Sequence, residues 1–211
     1  MEAGSFYRPG QAAAPAHLRR LSAILAPVTE RAERFDDVTV QDDGDLPLVD
    51  GDMGKNVDAV AAVIAQTPEG TLPIVLGGDH TTVSPTLIAQ QRRHNGALSI
   101  LYIDAHPDLN DTSRHSRWSN GCALRRGLEM GEIDPRKVTL LGCRDYDWEE
   151  VEYIKKTGST VGPSADAHRP GEGGVRDRNG ATSGGGAEHR SLGTGQLHSG
   201  EPTARAGRED A

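Results

Sequence analysis

Aromatic side chains are scarce in this chain. Two Trp, four Tyr and two Phe make up only 4% of 211 residues, so few large anchors exist for a core. Basic charge is short as well: 23 Lys and Arg face 31 Asp and Glu, a net charge of −8. That balance argues against binding nucleic acid or an anionic membrane through a broad basic field, and it suits a cationic small molecule. Only Cys122 and Cys143 are present, too few for a disulfide-built secreted fold, and they read as free thiols of a reducing compartment. No apolar run approaches membrane-spanning length, and the opening MEAGSFYRPGQAAAPAH lacks a signal-peptide core, so the expected location is the cytoplasm.

Apolar runs and helical patterns alternate through the first three quarters of the chain. A helix is expected around HLRRLSAILA, before Pro27. In NVDAVAAVIAQT, Val57, Val60, Ala61, Ile64 and Ala65 share one helical face and Asn56 can cap it. TLPIVLGG reads as a buried strand, SPTLIAQQRRH as a helix with serine at its cap, and ALSILYID as a second strand. CALRRGLEMG, KVTLLGC and DWEEVEYIKKTG continue the cycle, and KKTGSTV leads toward another strand. This alternation predicts an α/β fold with a parallel sheet covered on both faces. Right-handed crossovers then bring successive strand ends to one edge, where open α/β sheets carry their sites.

From residue 162 onward the character changes. The segment to Ala211 contains no Ile, Phe, Met, Trp or Tyr, and Val175, Leu192 and Leu197 are its only large aliphatics. Such a stretch cannot offset the entropy of ordering its backbone, so residues 1–161 read as one α/β domain and 162–211 as a low-complexity, disordered tail.

Two strand ends carry clustered metal-binding residue types. LYIDAHPDLND, residues 101–111, alternates Asp104, His106 and Asp108; LPIVLGGDH, residues 72–80, ends in two glycines, Asp79 and His80. Alternate side chains of an extended segment share a face, so the first trio converges if the backbone stays extended past Ile103. Two carboxylates and an imidazole suit a divalent ion such as Mn, Fe, Zn, Co or Ni, and a carboxylate such as Asp104 can bridge two. Asp79, at a strand end, reads equally well as a helix cap. His17, His94, His115, His168, His189 and His198 have no comparable setting and read as solvent-facing or tail residues. RHSRWSNG reads as a substrate loop or as a charged surface loop.

LGGDHTTVSP and YIDAHPDLND resemble the first two signatures of the ureohydrolase family of arginases, agmatinases, guanidinobutyrases and proclavaminate amidinohydrolase. SFYRPGQAAAPAHLRR resembles the family's N-terminal substrate-loop region, and RRGLEMGEIDPRKVTLLGCRDYD its agmatinase version of the next helix and strand. The resemblance spans residues 4 to 161 and implies a three-layer α/β/α arginase-like fold. It implies two Mn(II) per subunit, with His80 and Asp108 on one ion, His106 on the other and Asp104 between them. Hydrolysis of a guanidino compound to an amine and urea is implied, with agmatine leading and arginine or guanidinobutyrate as alternatives. Asn110 stands where arginases present Asn to a substrate carboxylate. Asn120 stands at the position of the family's proton-shuttling His and cannot titrate.

The third family signature, which supplies two more aspartates, finds no match in the tail, and the first strand of the family sheet is also missing. Weak, partial Mn binding is therefore expected. So is self-association, or pairing with an intact homologue, because a cut sheet exposes an edge. A non-catalytic binding subunit is the competing class. A metal deacetylase is the third reading, disfavoured because that class lacks a histidine at position 80. The Gly, Ala and Arg content of the tail is what out-of-frame translation of GC-rich DNA produces. Limited proteolysis is expected to remove residues 162–211 first. Deleting them is expected to leave Mn binding and thermal stability unchanged; loss of Mn binding on deletion would place a ligand in the tail.

Overall fold

Among the described residues, three short parallel strands carry the fold: β1 (Ile100–Ile103), β2 (Val138–Leu141) and β3 (Thr160–Val161), in that spatial order. Ile100 faces Val138 and Ile103 faces Leu141, while Thr139 and Leu140 face Thr160 and Val161. Helix α4 (Ala123–Met130) crosses from β1 to β2 and α5 (Trp148–Thr157) from β2 to β3. Upstream lie α1 (Ala14–Ser22), α2 (Met53–Ala65) and α3 (Val83–Arg93). This computed structural model describes residues 4–5, 9–26, 28–34, 38–46, 48–49 and 51–162. The chain divides into two units, Met1–Val175 and Arg176–Ala211, and every described residue lies in the first. The expected tail lies outside the described residues except for Gly162, whose N–H donates to Leu140 O at 2.7 Å.

Parallel strands with crossover helices are the α/β class that the alternating pattern predicts. On one face of the sheet, Ile100, Tyr102, Val138 and Leu140 pack with Leu124 and Leu128 of α4 and with Leu109 and Ile133. Val57, Val60, Ala61 and Ile64 of α2 form a second cluster with Ile88 and Ala89 of α3. The helical face read from the spacing in α2 is thus the buried one. On the opposite face of β1, Leu101 and Ile103 are 61% and 71% exposed. Among the described residues that face of β1 is therefore largely uncovered.

Three local expectations differ from what forms. Residues 71–77 make no strand among the described residues, and Leu72 and Ile74 stay 80% and 76% exposed. A ladder needs a partner, β1 pairs with β2 there, and Pro73 removes a donor. Asn56 does not cap α2. Asp52 does, accepting from Lys55 N at 3.0 Å, while Asn56 is buried and pairs with both backbone groups of Val49 at 2.7 Å. Ser84 likewise leaves the cap of α3 and donates its hydroxyl to Ala123 O at 2.8 Å.

That Ser84 contact marks a close crossing of α3 and α4. A Cβ on Gly127 would stand 2.8 Å from Leu87 Cδ1 and 3.2 Å from the Ser84 Cα. Gly127→Ala should destabilise the fold by about 1–3 kcal/mol through overpacking, despite alanine's better helix propensity. Urea unfolding checks this: an unchanged or raised midpoint would show that the two helices can part at no cost.

Candidate metal centre

Two loops build the site, and each is fixed by backbone hydrogen bonds before any ligand geometry arises. After residue 76 the chain turns tightly. A Cβ at Gly77 would lie 2.5 Å from Thr82 Oγ1, so only glycine fits there without a shift. Asp79 is buried and spent on capping: it accepts from Thr81 N at 3.1 Å and from Gly4 N at 2.7 Å. The capping reading of Asp79 is the one realised. Its cap starts the short 3₁₀ turn His80–Thr82, which presents the His80 ring. Asn120 Oδ1 accepts the His80 backbone N–H at 3.2 Å.

The second loop leaves β1 at Asp104, whose N–H still donates to Leu141 O at 3.1 Å. Beyond it the backbone bends, and Asp108 adopts φ +53°, a left-handed conformation uncommon outside glycine. Strict alternation therefore does not bring Asp104, His106 and Asp108 to one face; the bend does the work for two of them. His80 Nδ1 lies 2.6 Å from Asp108 Oδ2 and 3.5 Å from Asp104 Oδ2. His80, Asp104 and Asp108 each bring one ligand atom within 4.8 Å of the others. His106 stands apart, its side chain 56% exposed, with Nδ1 at 3.5 Å from Asp104 Oδ1 and Nε2 at 3.5 Å from Asp145 Oδ2. Asp104 thus turns one oxygen toward each histidine.

Tyr102, which reads from sequence only as a core position of β1, is part of this centre. Its hydroxyl donates to Asp108 Oδ2 at 2.6 Å, and its ring stacks on His80 at a centroid distance of 5.6 Å. Burial, then the Asp108 charge, pushes the phenol far above its usual range, so it remains a donor. Glu150, also unforeseen, is buried and accepts from Leu109 N and Asp147 N, both at 2.9 Å. Burial raises its carboxyl above the usual range, against the lowering effect of those two N–H groups. Asn110 is buried and donates to Asp147 Oδ2 at 2.8 Å. Burial pushes both cysteine thiols up to about 11, which keeps them protonated and poorly nucleophilic. His17, His94 and His115 are exposed, as expected; His168, His189 and His198 lie outside the described residues.

His80, Asp104, His106, Asp108, Asn110 and Glu150 line a cleft of about 440 Å³ that also receives Gly4, Asn120, Asp145 and Asp147. One imidazole and two carboxylates with converging atoms fit a divalent cation. The hydrogen bond to Asp108 raises the His80 pKa, burial opposes it, and the charges of Asp108, Asp104 and Asp79 reinforce it. A cation entering here displaces that proton. In metal-free protein the His80–Asp108 pair contributes stability in full below the unfolded histidine value of about 6.5. That contribution is lost as pH rises through the elevated folded value. An NMR titration should find His80 titrating above the ordinary range, and Asp108→Asn should lower it; an unmoved His80 in that variant would remove Asp108 as the cause.

A profile of the arginase family matches residues 1–186. A guanidinobutyrase of Pseudomonas aeruginosa is 29% identical over 170 residues, 76% of this chain and 52% of that protein. An agmatinase of Bacillus anthracis is 29% identical over 157 residues, covering 74% of this chain and 53% of its own. The solved structure of proclavaminate amidino hydrolase from Streptomyces clavuligerus superposes with a TM-score of 0.65 at 28% identity, over 77% of this chain and 55% of that one. The chain thus spans about half the length of the curated relatives it matches. No helix among the described residues is long and apolar enough to cross a membrane. The fold is arginase-like, and the chain belongs to the arginase family.

Proposed function

We propose that this cleft is a Mn(II) centre for hydrolysing a guanidino compound to an amine and urea, with agmatine as the leading substrate. The observation that carries the reading is the convergence of His80, Asp104 and Asp108 at the carboxyl end of β1. His80 and Asp108 would hold one ion and His106 a second, and Asp104, 3.5 Å from each histidine, would serve both. Divalent ions bound there would acidify a water and supply a nucleophile at neutral pH.

The remaining residues bind and orient. Asp104, Asp108, Asp145 and Asp147 line the cleft, and Arg114 is the one arginine among its described lining residues. An excess of carboxylates attracts a planar guanidinium and also favours a second positive charge at the far end of the substrate. Agmatine carries such a charge, whereas guanidinobutyrate carries a carboxylate. Asn110, the residue that would greet that carboxylate, already donates to Asp147. Asn120 cannot carry a proton; its side-chain oxygen holds the His80 backbone instead.

A second reading draws on Asn120, which cannot carry a proton: a cytoplasmic binding subunit that pairs with an active homologue or with itself. Urea release from agmatine, arginine and 4-guanidinobutyrate, measured in parallel with Mn(II), separates the readings. Agmatine turned over fastest supports the first. Faster turnover of 4-guanidinobutyrate overturns the agmatine preference, and urea from none of the three, with Mn(II) bound, favours the binding subunit.

A further inference from the structure

Asp108 is held by two interactions with side chains at its carboxylate, but its backbone conformation needs a separate cause. At φ +53° it sits where a non-glycine residue costs energy unless its surroundings over-determine it. The next three residues show what does so. Leu109 N donates to Glu150 Oε1 at 2.9 Å, Asn110 Nδ2 to Asp147 Oδ2 at 2.8 Å, and Asp111 N to Glu149 Oε1 at 2.9 Å. All three acceptors belong to the first turn of α5 or its cap. From the other side, Arg125 N donates to Asp108 O at 3.1 Å and Asn110 N to Gly121 O at 3.1 Å.

Among these contacts the Leu109–Glu150 pair is the enclosed one. Glu150 is 3% exposed and Leu109 fully buried, whereas Glu149 is 48% exposed at its side chain. A carboxylate accepting two backbone N–H groups away from water makes strong, directional bonds. One oxygen fixes the residue after Asp108; the other fixes Asp147 N, the start of α5. We infer that Glu150 is a positioning residue that locks the left-handed turn at Asp108 and so aims its carboxylate at His80. Glu150 acts through the Leu109 amide, so this role is distinct from binding a substrate. The metal reading of the site enters only through the affinity measured below.

Glu150→Ala removes both acceptor oxygens, so neither bond can form. Glu152→Ala, on an exposed position of the same helix, is the control. Mn(II) affinity by EPR titration and amide hydrogen exchange by NMR are measured on the full chain, with melting temperature alongside. Glu150→Ala should weaken Mn(II) binding by about tenfold or more, the usual effect of removing support behind a ligand. It should also speed exchange at Leu109, while Glu152→Ala changes neither. Wild-type Mn(II) binding with unchanged affinity in Glu150→Ala overturns the inference. Should wild type bind no Mn(II), the metal reading fails and Leu109 exchange alone decides: faster in Glu150→Ala supports the lock, unchanged overturns it. If Glu150→Ala does not fold, a rapidly exchanging Leu109 amide in the wild-type chain overturns the lock, and a strongly protected one supports it.

Discussion

One oxygen of Asp108 organises the centre. Oδ2 meets both the His80 imidazole and the Tyr102 hydroxyl at 2.6 Å, so strand, turn and loop converge on a single atom. A buried carboxylate with no partner would be expensive, and here each partner is also the means of placing another group. Tyr102 is anchored in β1 and stacks on His80; His80 is launched by the Asp79 cap, which in turn secures Gly4. The site is a junction between segments far apart in sequence, and the parallel sheet brings their ends together.

Crowded negative charge is the cost of this arrangement, and the fold manages it in two ways. Around the cleft, Asp108 accepts from the Tyr102 hydroxyl, which burial keeps protonated, and lies 2.6 Å from the His80 ring, whose pKa that contact raises. Behind it, Arg126 is buried on α4 and pairs with Asp111 at 2.7 Å and Glu129 at 2.9 Å, and its pairing holds the Asp111 carboxyl below the usual range. A cation at the centre would relieve the remaining repulsion, so binding and local order are expected to be linked.

Much of this was legible in the sequence, and the failures share a cause. Continuous apolar runs identify β1 and β2, although Leu101 and Ile103 on one face of β1 stay exposed, and helical spacing finds the buried side of α2. Residues 71–77 carry the same composition yet form no described strand, since pairing depends on a neighbour that composition cannot report. Asp52 and Asn56 are equally good caps by local chemistry; a tertiary contact with Val49 decided between them. The motif identifies His80, Asp104 and Asp108, but the geometry joining them rests on the turn at Asp108, which alternation does not foresee. Tyr102 and Glu150 stay hidden because one reads as a core residue and the other as a helix-start acid.

The central claim is that His80, Asp104 and Asp108 form a divalent-cation site. Crystals of the protein soaked in Mn(II) and measured for anomalous scattering test it most directly. The account predicts a strong peak bounded by the His80 imidazole and the Asp104 and Asp108 carboxylates, with its height lost in Asp108→Asn. An ordered site with no peak there, or Mn(II) held elsewhere while these three residues keep their hydrogen bonds, would contradict it.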